Sequence, residues 1–226
     1  MDFPGELAWN ASICLYELLS LGARRAGWWR LRRVLRRRFR GLDFDRMALE
    51  VQGATPESLA YGETPVSSLL HLLEHSGLCP GSRFVDLGSG RGLTVLAACL
   101  AGFAASGLEF FPESVERARL AAADLGLEVD FTVGDFLEAP WPAGDLYYLA
   151  SSAFGEGTRR RLGARLAAEL PPGTLVITLD WVLDPTDFEG LHTLPIPVTW
   201  GVARSFTWRR RESEPAPSGG VPGEPR

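Results

Sequence analysis

The chain has 226 residues, 46% of them hydrophobic, which is enough to bury the core of one medium α/β domain with extensions. Its net charge of -5 argues against attraction of nucleic acid by the whole surface, and its three cysteines, Cys14, Cys79 and Cys99, have neither the number nor the spacing of a disulfide framework or a zinc site. All 23 basic residues are arginine, a pattern that codon bias in a GC-rich genome explains.

Residues 1–50 read as a helical, arginine-rich extension. The apolar run from Leu7 to Leu21 is broken by Asn10 and Glu17 and carries its positive charges behind it, so it reads neither as a secretion signal nor as a membrane span, and a cytoplasmic location is expected. Between Arg24 and Arg40, Trp28, Leu31, Leu35 and Phe39 recur at spacings of three and four, which puts them on one side of a helix with arginines on the other. Such a basic amphipathic helix has two readings. It can meet an anionic partner, a membrane surface, RNA or an acidic protein, or it can pack its stripe on the following domain.

A domain over 51–210 follows. Tyr61 to Pro65, YGETP, opens a helix through about Ser76, with Thr64 at the N-cap and Pro65 at the first helical position. His71 and His75 stand four apart on that helix but have no third ligand nearby, so no metal is expected. Next comes RFVDLGSGRG, Arg83 to Gly92: a short apolar strand, an acid near its end, and a glycine turn that leads into the helical pattern LTVLAACL. Gly88, Gly90 and Gly92 let backbone N–H groups approach a ligand. The loop departs from GxGxxG, and Asp86 stands where it would meet a cationic amino group, an order that fits S-adenosylmethionine better than NAD.

A second strand, Ala105 to Glu109, ends in a carboxylate about twenty residues beyond the loop, where doubly wound folds place an acid for ribose hydroxyls. A helix from Pro112 to about Leu125 leads to a third strand, Glu128 to Val133, and then to Asp135 and Phe136, a pair suited to the amine and the face of an adenine ring. The fourth strand, Asp145 to Ala150, runs into SSAFG, so Ser151, Ser152 and Phe154 are expected to face the transfer site. Then come a helix from Glu156 to Leu170, a fifth strand TLVITLD, and a closing hairpin between Leu191 and Arg210 that brings the strands to seven. Residues 211–226 are too rich in Pro, Gly and Ser to fold alone.

Taken together, YGET, DLGSG, GLE, GDF and AFG resemble the class I, seven-β-strand S-adenosylmethionine-dependent methyltransferases. Within that class they look like the disruptor-of-telomeric-silencing family of non-SET protein lysine methyltransferases, with a similar layout in the archaeal broad-specificity enzymes. The resemblance covers about Ala60 to Arg210. It implies a doubly wound, Rossmann-like seven-stranded α/β fold, to which the residues add the N-terminal helical extension, and S-adenosyl-L-methionine as cofactor with S-adenosyl-L-homocysteine as product.

It further implies that Tyr61 and Thr64 close over the methionine end, that Asp86, Gly88 and Gly90 hold the amino acid portion, that Glu109 takes the ribose, and that Asp135 with Phe136 takes the adenine. Phe154 matches the aromatic near the methyl donor; Trp200 and Phe206 match aromatics of a lysine channel. Two departures stand out. The family's asparagine pair before AFG is replaced by Ala150, Ser151 and Ser152, and nothing resembles its nucleosome-docking extensions. The reading is therefore methylation of a lysine in a non-histone protein, with Tyr61, Phe154 and Ser151 at the chemistry. RNA or small-molecule methylation and a non-catalytic cofactor-binding module are the alternatives, and an NAD-dependent oxidoreductase stands further off.

Overall fold

The computed structural model describes residues 9, 11–15, 17, 25–43, 46, 47 and 62–212. Its elements are α1 (Arg25–Arg38), α2 (Val66–His75), β1 (Arg83–Leu87), α3 (Leu93–Leu100), β2 (Ala104–Glu109), α4 (Pro112–Leu125), β3 (Asp130–Val133), β4 (Leu146–Leu149), α5 (Glu156–Glu169), β5 (Leu175–Leu179), β6 (Phe188–Val198) and β7 (Gly201–Arg210). A 3-10 turn, Ser151–Ala153, follows β4.

Seven strands form one sheet in the order β3-β2-β1-β4-β5-β7-β6. β1 to β5 run parallel, and β7 enters antiparallel between β5 and β6. The chain reverses its direction of build between β1 and β4, and in open sheets of this kind the crevice beyond the carboxyl ends at that switch point takes the ligand. β4 and β5 are buried throughout, as interior parallel strands covered on both faces must be.

Alternation along the strands splits the core into two. Phe84, Leu146, Tyr148, Ile177 and Leu179 face α2, α3 and α4, while Val85, Leu87, Tyr147, Leu149 and Val176 face α5 and a cluster with Trp181, Phe188 and Trp208. Local chemistry sets the helix ends. α4 begins with Pro112 and stops at Gly126, whose left-handed φ of 69° ends it without the cost a Cβ would carry.

The stripe of α1 is core. Trp28, Leu31, Val34, Leu35 and Phe39 lie buried in the first cluster, and α1 packs on α3 and α4. Its arginines clamp the same neighbour: Arg38 Nε and Arg37 Nη2 each donate to Asp124 Oδ2 at 2.6 Å, and Arg30 donates to the Asp124 carbonyl at 2.7 Å. Hydrogen bonds from Arg38 and Arg37 pull the Asp124 carboxyl down to about 2. Of the two readings of this helix, the packing one describes its apolar face. Among the described residues no helix is long and apolar enough to cross a membrane.

Candidate functional site

β1 carries Asp86 one residue short of the carboxyl edge, on the face it shares with Phe84 and next in register to Tyr148 of β4. Asp86 is 3% exposed. Its Oδ2 accepts a hydrogen bond from the Thr94 hydroxyl, in the first turn of α3, whereas its buried Oδ1 finds no partner. Burial pushes this carboxyl up to about 7, the Thr94 hydroxyl opposes the shift, and the charge of Glu109 adds to it. A buried carboxylate with a vacant oxygen is a place for a cation that donates hydrogen bonds.

The glycine loop is braced against its neighbours. Four of its N–H groups are hydrogen-bonded within the fold: Gly88 and Ser89 donate to the Leu108 carbonyl of β2 at 2.8 and 3.1 Å, Gly90 donates to Glu109 Oε2 at 2.8 Å, and Gly92 donates to the Ser89 carbonyl at 2.7 Å. The loop is tied sideways to β2, which leaves carboxylates rather than amides as its recognition groups. Gly92 is needed for packing too, because at its φ of 75° a Cβ would come within 2.6 Å of the Phe131 ring. Gly88, at φ 96°, leaves open space apart from Phe136 at 3.8 Å.

Glu109, 7% exposed at the tip of β2, also accepts from the Phe111 N–H at 3.0 Å through Oε1. Burial raises its pKa against the pull of the Phe111, Gly90 and Phe110 amides. The carboxylate keeps acceptor capacity for a hydroxyl donor beyond these amides. Asp135, half-buried past β3, spends Oδ1 on the Leu137 N–H at 2.8 Å. Phe136 stacks on Phe154 with ring centroids 5.3 Å apart, so the tips of β3 and β4 share one aromatic wall.

On the other side of β4 a short strap, residues 62–64, folds over the edge. The Glu63 N–H donates to Thr199 Oγ1 at 2.8 Å, the Thr199 N–H donates to the Glu63 carbonyl at 3.0 Å, and Arg91 of the glycine loop makes a bidentate ion pair with the Glu63 carboxylate. Trp200 lies so close to Gly62 that a Cβ there would be 2.2 Å from its ring. Thr64 is not the N-cap of α2. Helix geometry starts after Pro65 with no side-chain cap, and the buried Thr64 hydroxyl bonds to the Tyr148 hydroxyl, whose pKa burial raises. Tyr61 lies outside the described residues.

Ser151 needs correcting as well. It is fully buried, its hydroxyl donates to the Leu179 carbonyl at 2.7 Å and accepts from the Leu179 N–H at 3.0 Å, so it staples the β4 turn to the end of β5 instead of facing the transfer site. Phe206 likewise turns into the second core and stacks on Trp208 at 5.8 Å. Thr94, Tyr148, Thr199 and the Glu63–Arg91 pair escaped the sequence reading. Only Thr94 carried a local signal, a hydroxyl in the first turn after a glycine loop.

Beyond the strap, a recess of about 700 Å³ is lined by Trp29, Arg32, Arg33 and Arg36 of α1 together with Glu63 and Arg91. Arg32 is paired with Glu17.

Residues 52–132 match the family described as histone methylation protein DOT1, a span that ends within β3. An uncharacterised protein of Mycobacterium tuberculosis is 28% identical over 121 residues, 53% of this chain and 43% of that protein, so the match spans less than half of that relative's length. Among solved structures, an RNA methyltransferase from Salinibacter ruber in complex with S-adenosyl-L-homocysteine superposes with a TM-score of 0.56 at 28% identity, covering 68% of this chain and 96% of that one. TrmN from Thermus thermophilus superposes with a TM-score of 0.56 at 22% identity, covering 69% of this chain and 52% of that one. With the strand order above, these likenesses make the fold that of the class I methyltransferases.

Proposed function

From a chain with the class I methyltransferase fold, we infer an S-adenosylmethionine-dependent methyltransferase that acts on the ε-amine of lysine in a protein. The observation that carries the cofactor is the buried Oδ1 of Asp86, which has no partner and is set beside a loop whose glycine amides at 88, 90 and 92 are bonded within the fold. A site made of three carboxylates reads a ligand with a cationic amino group, two ribose hydroxyls and an exocyclic amine. For a dinucleotide's pyrophosphate it is poorly suited, because the Gly88, Ser89, Gly90 and Gly92 N–H groups are already bonded and Arg91 is paired with Glu63. Asp86 would hold the amino group, Glu109 the ribose, and Asp135 with Phe136 the adenine.

Once bound, the cofactor supplies an electrophilic methyl group on a sulfonium. The chain's own residues have positioning and drying to do. The strap held by Arg91, Thr199 and Tyr148 covers the side next to β4, and the Phe136–Phe154 wall keeps water from the other. An amine brought into such surroundings loses its proton more easily, because desolvation lowers its pKa, and no side chain need act as a base. The match of residues 52–132 to a histone-methylation family supports an amine acceptor, and the aromatic wall suits a cationic head.

Incubation of the protein with a cell extract and methyl-labelled cofactor tests the reading. Label on lysine residues of protein bears it out; label confined to nucleic acid or small molecules rejects it. The chain has no lysine, so self-labelling at a lysine side chain cannot confuse the result. RNA is the second reading, favoured by the arginine-lined recess beside Trp29 and by the likeness to an RNA methyltransferase.

A further inference from the structure

We propose that Asp180 is the specificity-determining acid of the acceptor side, the carboxylate that receives the protonated amine of the substrate at the mouth of the transfer site. The proposal rests on the lysine reading above and goes beyond it by naming the group that selects a cationic acceptor.

β5 ends at Leu179, and Asp180 is the next residue. Among the described residues it is the one non-glycine with positive φ, 52°, a left-handed conformation that glycine would adopt freely and an L-residue adopts at a cost. Departures of this kind persist where the surroundings enforce them, and they concentrate at functional sites. The surroundings here are specific. The Asp180 N–H donates to the Arg204 carbonyl at 2.8 Å, the Arg204 N–H returns a bond to Oδ1 at 2.8 Å, and the Ser152 hydroxyl donates to Oδ2 at 2.7 Å. The carboxylate is thus aimed by β7 on one side and by the turn after β4 on the other.

It is also left available. Asp180 is exposed, pairs with no arginine among the described residues, and keeps a lone pair on each oxygen. Its place completes the argument. Asp86, Glu109 and Asp135 stand at or just past the ends of β1, β2 and β3, whereas Asp180 stands at the end of β5, across β4 from Asp86. With strands about 4.8 Å apart, the tips of β1 and β5 are separated by roughly 10 Å. The nucleoside-reading acids occupy one side of β4 and Asp180 the other, where an acceptor approaches over Ser152 and Phe154. An ammonium brings a full charge and three donors to such a carboxylate, while a nucleic-acid backbone would be repelled by it.

Two variants separate this role from that of a turn residue. Asp180→Asn keeps the shape, the tolerance of left-handed backbone and an acceptor oxygen while removing the charge. Asp180→Gly removes the side chain and relieves the backbone. Each is measured for S-adenosylhomocysteine affinity by calorimetry, for its thermal midpoint, and for the initial rate of labelled methyl incorporation into the protein fraction of a cell extract at several salt concentrations.

Both variants are expected to bind S-adenosylhomocysteine within about twofold of the parent, and Asp180→Gly to melt no lower than it. Both should lose at least about tenfold in protein methylation, and the dependence of the rate on salt should flatten because the charge attraction is gone. Asp180→Asn with the parent's rate and salt response overturns the proposal and leaves the amine reading standing. Label from the unmodified protein that enters only nucleic acid or small molecules overturns both.

Discussion

In the half of the sheet made of β1, β2 and β3, acids at the strand tips keep acceptor capacity: an oxygen on Asp86 with no partner, and lone pairs on Glu109 and Asp135 beyond the amides they accept. In the half made of β4, β5 and β7, the polar groups behind the edge are tied back into the fold. Ser151 is bound to Leu179, Thr178 donates to the Trp181 carbonyl and accepts from the Trp208 indole, and Thr64 is bound to Tyr148. The difference teaches where each specificity resides. On the proposed reading, a cofactor rich in donors would be read by fixed acids on a parallel half-sheet, while the acceptor side would be a braced frame whose outward acid is Asp180. The family match stops at residue 132, within the first half.

The largest test asks whether α1 belongs to the cofactor half at all. Leu31 is fully buried in the core beneath α3 and α4, so Leu31→Ala should cost about 4 kcal/mol of unfolding free energy in denaturant titration. A loss below about 1 kcal/mol would make α1 an appendage.

Glu109→Ala comes next. It removes the acceptor for the Gly90 and Phe111 amides together with the proposed ribose acceptor, and should weaken S-adenosylhomocysteine binding about 100-fold by calorimetry. A smaller variant effect is expected in the other half: Ser151→Ala should lower stability by about 2 kcal/mol, because the buried Leu179 amide and carbonyl lose their partner, yet leave that affinity unchanged. A methylation rate that collapsed at unchanged stability would return Ser151 to the chemistry.

The gentlest test is pH. Burial raises the Asp86 carboxyl in the folded protein to about 7, above its unfolded value of 3.8, so the folded state holds the proton more tightly. Its contribution to stability is full below the unfolded value, declines as pH rises, and is gone above about 7. The slope is at most about 1.4 kcal/mol per pH unit, and Asp86→Asn should flatten it in ligand-free melts. Cofactor binding should run the other way, with affinity rising toward pH 7 as the carboxylate becomes available to the amino group.

Much of the architecture was legible because local rules govern it. The glycine turn, the Pro112 start and Gly126 stop of α4, the buried runs of β4 and β5 and the acids at successive strand tips all follow from short-range periodicity and backbone preference. The direction in which a polar side chain turns was not legible. Ser151 and Thr64 read as edge hydroxyl and helix cap, yet one bonds to a residue 28 positions on and the other to a residue 84 positions on. The glycine-loop amides read as a cradle, and those of Gly88, Ser89 and Gly90 are bonded to β2.

The sequence by itself determined the strand and helix pattern, the order of the acids and the chemistry of a donor-rich, cationic cofactor, because each depends on residues within a few turns of one another. Only the tertiary structure decided which polar groups stay open: it bonded the glycine-loop amides, stapled Ser151, buried the stripe of α1, and left Asp180 held by Ser152 and Arg204 without an ion pair among the described residues. The physical reason is that a buried hydrogen-bonding group must find a partner, and which partner lies within about 3 Å is settled by chain segments far apart in sequence.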